Sequence, residues 1–176
     1  MNSLPALYPG RLHLLVAASP ARHELVNAVI VRLACGGPLR ILDGGNCFQA
    51  QRIARLLRRQ TSDLEAALGN IHIARAFTCY QSAALLNETP ALPLPALALD
   101  LLTTFYDENT PLHERQRLLG GCLRQLRRLS DRAPVLVSAG IPTESQPQEL
   151  LTRLEDTADQ VWRLETQPPV EPLRLF

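Results

Sequence analysis

Residues 12–26, LHLLVAASPARHELV, join an apolar run to a helical one through a turn carrying Ser19, Pro20, Arg22, His23 and Glu24. Nucleotide-binding proteins hold phosphate in a loop between a strand and a helix, so this turn is the first place to look for chemistry. It contains neither glycine nor lysine. All 18 Lys+Arg residues of the chain are arginine, which removes Schiff-base, general-base and phosphate-loop lysines from consideration. A second turn, Asp43-Gly44-Gly45-Asn46-Cys47, follows a short apolar run, and Asp100 ends another. Cys35, Cys47, Cys79 and Cys122 are widely spaced, with no C-x-x-C pair and no histidine at ligand spacing. They read as reduced core thiols in a cytoplasmic protein, and no metal is assigned. No G-x-S-x-G elbow is present, and Ser19 and Ser138 have no histidine and aspartate partners nearby in sequence.

The elements that must position these residues alternate regularly. Strand-like runs at 12–18, 39–42, 71–77, 97–101, 135–138 and 160–164 are separated by helical spacing at 24–34, 50–59, 80–86, 114–129 and 148–154. Apolar strands joined through helices imply a mostly parallel sheet covered on both faces, with ligands at the carboxyl ends of the strands. The turns to watch are therefore those after Ala18, Leu42, Asp100 and Ser138. The 176 residues, 46% apolar and 20% charged, suit one domain over 1–165, followed by a proline-rich tail, 166–176. No stretch is long and apolar enough to span a membrane. Gly120-Gly121 interrupts the longest helix and weakens it unless something packs closely there.

The order of motifs resembles the RecA/RadA recombinase superfamily. The most specific piece is NIHIARAFTCYQSAALL, residues 70–86, which resembles the third strand and following helix of RadA-type recombinases. LRILDGGNCFQAQRIARLL is similar to their second strand and helix, and LALDLLTTFYDE to the strand carrying the Walker B aspartate, here Asp100. ERQRLLGGCLRQLRRLSDRAPVLVSAG resembles the long helix and fifth strand that follow. The resemblance spans roughly residues 10–165 and implies a three-layer α/β/α sandwich with a RecA-like central sheet.

Within that resemblance, the octet Ala17-Ala18-Ser19-Pro20-Ala21-Arg22-His23-Glu24 matches the phosphate loop GxxxxGK[ST]. Ala17 and Arg22 stand at the glycine positions and cannot freely adopt positive φ, while Pro20 removes an N–H donor. His23 takes the lysine position and Glu24 the hydroxyl position, where a carboxylate would repel a triphosphate. The water-activating glutamate of RadA-type enzymes is matched by Gly45, with Asp43 two residues earlier. After the fifth strand, SAGIPTESQPQ stands where recombinases carry a longer DNA-binding loop. Read without the resemblance, the first turn is a helix start with Ser19 as cap and Pro20 in the first turn.

These residues imply a catalytically inactive RecA/RadA-like domain, a pseudo-ATPase without cofactor, acting as a binding or scaffold partner in DNA recombination or repair. The expected partner is a protein, in particular another RecA-like protein, and the tail ending PLRLF is an alternative docking segment. Two other readings stand beside it. One is a small DNA-binding module using the arginines of the long helix, with Arg124, Arg127 and Arg128 as phosphate contacts. The other is an S-adenosylmethionine-dependent methyltransferase built on LDGGNC.

Overall fold

Four apolar runs become the interior of a sheet because no residue in them has to face water. In the computed structural model, which describes residues 6–164, the strands β1 (Leu12–Ala17), β2 (Leu39–Asp43), β4 (Ala96–Leu99) and β5 (Val135–Ala139) are almost wholly buried. β3 (Ile71–Arg75) and β6 (Gln160–Leu164) contain no fully buried residue, and they are the two edges of the sheet. The strand order is β3-β2-β4-β5-β1-β6 and every pairing is parallel. Central strands of such a sheet are covered on both faces, which explains their continuous hydrophobicity.

One face is covered by α1 (Ser19–Gly36), α2 (Ala50–Leu57) and α3 (Leu64–Gly69), through a core that includes Leu15, Ile30, Ile41, Ile53 and Leu57. The other carries α4 (Cys79–Glu88), α5 (Leu112–Ser130) and α6 (Gln148–Thr157), packed through Leu14, Phe105, Leu119, Leu126 and Leu154. This is the three-layer α/β/α sandwich expected from the strand and helix alternation. Among the described residues, no helix is long and apolar enough to cross a membrane. The tail at 166–176 lies outside the described residues.

The differences from the sequence reading have local causes. α1 begins at Ser19, five residues before its apolar periodicity, because Pro20 is compatible with the first turn of a helix. Its N-cap is Ala18 with no side-chain bond, so Ser19 is the first helical residue and not the cap. β4 stops at Leu99, since Asp100 adopts a left-handed conformation at φ 48° and a 3-10 turn (Leu101–Phe105) follows. α3 is only six residues long, too short for its periodicity to register, and Asp63 caps it by accepting from the Ala66 N–H at 3.0 Å.

Gly120 and Gly121 sit inside α5 without a packing reason: a Cβ at either would meet only the flexible Arg124 guanidinium, at 3.8 and 3.9 Å. Gly120→Ala and Gly121→Ala are each expected to stabilise the fold by about 1 kcal/mol, by helix propensity and by restricting the unfolded chain. Urea unfolding checks this. A loss of stability would mean that the helix backbone is approached more closely at these positions than the structure allows.

Candidate functional site

The carboxyl ends of β1, β4 and β5 are adjacent in the sheet, and the turn after β2 reaches them. Between β1 and α1 lies a single residue, Ala18, so positions 19–24 of the octet are already helical. No wide loop remains there to wrap a phosphate. The first turn of α1 instead aims Arg22 and His23 at Asp100.

Arg22 is buried and donates from Nε to Asp100 Oδ1 at 2.7 Å and from Nη2 to Oδ2 at 2.9 Å, a forked pairing that suits guanidinium and carboxylate. Its Nη1 donates to the carbonyl of Ala17. The guanidinium also lies beside Gly140, where a Cβ would approach Nη1 to 3.3 Å. His23 Nε2 is 3.1 Å from Asp100 Oδ2, while Ser138 Oγ donates to Oδ1 and accepts from the Asp100 N–H, both at 2.9 Å. Burial alone would raise the Asp100 pKa, but hydrogen bonds and charge from Arg22, with help from His23 and Ser138, hold it below the usual carboxylate range. The carboxylate is thus ionised, enclosed and already satisfied by the chain itself.

The turn after β2 closes the other side. The N–H groups of Gly44 and Gly45 donate to the Leu99 carbonyl at 2.9 and 3.2 Å, laying the turn against the end of β4. A Cβ on Gly45 would stand 2.4 Å from Asp100 Cβ, so the position matching the water-activating glutamate cannot carry a side chain in this arrangement. Asp43, two residues earlier, is fully buried and accepts from the N–H groups of Cys47 and Phe48 at 3.0 and 3.1 Å. It also faces Arg75 Nε at 3.3 Å. Its carboxylate is committed to the turn and does not point at Asp100.

Of the octet positions, Ala17, Arg22 and His23 take part in this cluster. Pro20 serves the helix start, and Ser19 Oγ lies 3.4 Å from His23 Nδ1. Glu24 does not enter the site: its exposed carboxylate faces Arg52 at 3.8 Å, on the outer side of α1. Ser138, Gly140 and Cys47 belong to the site, and the sequence reading gave them no role in it. The only available signal was their place near a strand's carboxyl end, Ser138 within β5 and Gly140 and Cys47 past β5 and β2.

The arginines of α5 are largely engaged in holding the chain together. Arg127 donates to Asp159 and to the Thr157 carbonyl, Arg128 to Gln125 and to the Thr89 carbonyl, and buried Arg115 to the Phe105 carbonyl. Arg117 pairs with Glu114 through two 2.7 Å bonds. Arg124 is exposed, in a shallow groove of about 530 Å³ shared with Arg127, Arg153 and Asp156. Of the three proposed phosphate contacts, Arg124, Arg127 and Arg128, the latter two therefore already serve structural bonds.

At the β3 edge, Ile73 is 41% exposed, and just beyond the strand Phe77 and Tyr80 are 66% and 51% exposed. A shallow groove of about 260 Å³ runs beside Ile73, lined also by Ala74 and Leu85. A family model described as Rad51 matches residues 26–150, from the second turn of α1 to the first turn of α6. No curated protein matches the chain. The matched span contains Gly45, Asp100 and Ser138, and it begins just after the octet.

Proposed function

The chain belongs to the Rad51 family and has its RecA-like three-layer fold, and from that premise we propose that it serves DNA recombination or repair as a binding partner that does not turn over ATP. The observation that carries this reading is the forked Arg22–Asp100 pair. A RecA-like ATPase needs the Walker B aspartate free to serve magnesium, next to a loop whose N–H groups hold the triphosphate. Here a guanidinium from the chain supplies the positive charge, and the loop is replaced by helix. Both changes act on the same square ångströms, and each makes the other tolerable.

What such a protein can still offer is surface. β3 is an edge strand with unpaired backbone groups on its outer side, and exposed Ile73, Phe77 and Tyr80 lie along or next to it. Exposed edges accept an extended segment by strand addition, with side-chain pockets conferring specificity. This supports a protein partner, and another RecA-like protein is the partner we favour.

Magnesium-ATP binding and phosphate release by the purified full chain test the proposal. Neither micromolar binding nor steady hydrolysis is expected. Micromolar affinity accompanied by steady turnover would overturn it.

A further inference from the structure

We infer that His23, Cys47 and Asp100 form a binding site for one thiophilic divalent transition-metal ion of the zinc type. The three come from separate elements, the first turn of α1, the turn after β2 and the end of β4. Their ligand atoms nevertheless lie within 4.8 Å of one another. Sequence spacing hides this, because 23 residues separate His23 from Cys47 and 52 separate Cys47 from Asp100.

The geometry is close to that of a bound ion. With metal–nitrogen and metal–oxygen bonds near 2.0–2.1 Å, a tetrahedral site places its nitrogen and oxygen ligands about 3.3 Å apart and a sulfur about 3.6 Å from either. His23 Nε2 and Asp100 Oδ2 already stand at 3.1 Å. The Cys47 sulfur has to close by no more than about 1.2 Å, within reach of a side-chain rotation. The ion replaces the contact between His23 and Asp100, and the thiol releases its proton to solvent as the metal–sulfur bond forms. His23 is partly exposed, which gives an entry path and leaves the fourth position to water.

The surroundings orient these ligands as metal sites require. Ser19 Oγ stands 3.4 Å from His23 Nδ1, the nitrogen that does not face Asp100, and can accept its proton once the ion takes Nε2 from the Asp100 carboxylate. Ser138 and Arg22 fix Asp100, and Asp43 holds the Cys47 N–H. Arg22 Nη2 also donates to Oδ2, and burial with the Asp100 and Asp43 carboxylates pushes the Cys47 thiol up, so the ion has to compete with the guanidinium for Asp100 and to drive the thiol proton off as it binds. A sulfur, an imidazole and a single carboxylate select zinc or cobalt over magnesium or calcium, which prefer oxygen ligands. The inference does not depend on whether ATP is turned over.

Titration of the metal-free full chain with Co²⁺ tests it directly. One ion per chain is expected, with the visible bands of a four-coordinate site and a thiolate-to-cobalt charge-transfer absorption. Zn²⁺ should displace the ion and excess Mg²⁺ should not. Cys47→Ser should abolish the charge-transfer band, His23→Gln should weaken binding at least about tenfold, and Cys35→Ser, at an exposed thiol outside the site, should change neither. Circular dichroism confirms that each variant is folded. Absence of the band in the wild-type protein, its persistence in Cys47→Ser, or its loss in Cys35→Ser would overturn the assignment.

Discussion

Arg22→Ala is expected to destabilise the protein by about 3–5 kcal/mol, because it leaves the ionised Asp100 buried without its main counter-charge. The Asp100 side chain is only 7% exposed, so water cannot take over from the guanidinium. Lysine is a poor substitute, since a single ammonium cannot reproduce the fork and also reach the Ala17 carbonyl. The double variant Arg22→Met with Asp100→Asn should recover much of the loss. It removes both charges together, and asparagine tolerates the left-handed backbone at position 100. Urea unfolding of both single variants and the double closes the cycle. A cost below about 1 kcal/mol for Arg22→Ala, as for an exposed pair, would show that the cluster is open to solvent.

The same pair sets an acid dependence. The Asp100 pKa is lower folded than unfolded, so its contribution to stability is present above the unfolded value of about 3.9 and is lost as pH falls through the folded value. The Arg22→Met, Asp100→Asn variant should lack this component of the acid slope while keeping stability near neutral pH. The carboxylate of Asp159, held below its usual range first by the Leu12 N–H, adds its own slope to both proteins and so does not confuse the comparison.

The strands were legible because burial on both faces demands uninterrupted apolar runs, as in Leu12–Ala17 and Val135–Ala139. α5 was legible because Leu119, Cys122, Leu126 and Leu129 repeat at helical spacing. The rule that ligand sites gather at strand carboxyl ends also directed attention to the turns from which Arg22, His23 and Asp100 meet. Less was legible about what the side chains do there. Arg22 and Asp100 are 78 positions apart, and a residue read as a misplaced loop glycine gives no sign that it is a counter-ion. Glu24 follows His23 directly, yet the step of about 100° between consecutive helical residues turns it to a different face, a direction that only the true start of α1 determines. The arginines of α5 looked like a charged surface because their carbonyl and carboxylate partners, Phe105, Thr89, Thr157 and Asp159, lie on other elements.

Gly45→Ala is expected to cost about 1–3 kcal/mol or more, since a single added methyl group has to displace backbone on one side or the other. Its Cβ would stand 2.4 Å from Asp100 Cβ, and neither partner can easily give way. Asp100 is pinned by Arg22, Ser138 and its own backbone conformation, and the Gly45 N–H is tied to the Leu99 carbonyl. For a chain of this length the melting temperature should fall by roughly 2–4 °C for each kcal/mol lost. Gly69→Ala, where a Cβ meets nothing within 4 Å, is the matched control and should be nearly neutral. Gly45→Glu, which places a glutamate where RadA-type ATPases are expected to have theirs, should destabilise further and restore no hydrolysis. A Gly45→Ala protein as stable as the wild type would show that the turn after β2 stands away from Asp100, with room for a side chain and a ligand between them. If the contact holds, regaining ATPase chemistry requires Gly45, Arg22 and the helix start at Ser19 to change together, because each now supports the packing that excludes the others' alternatives.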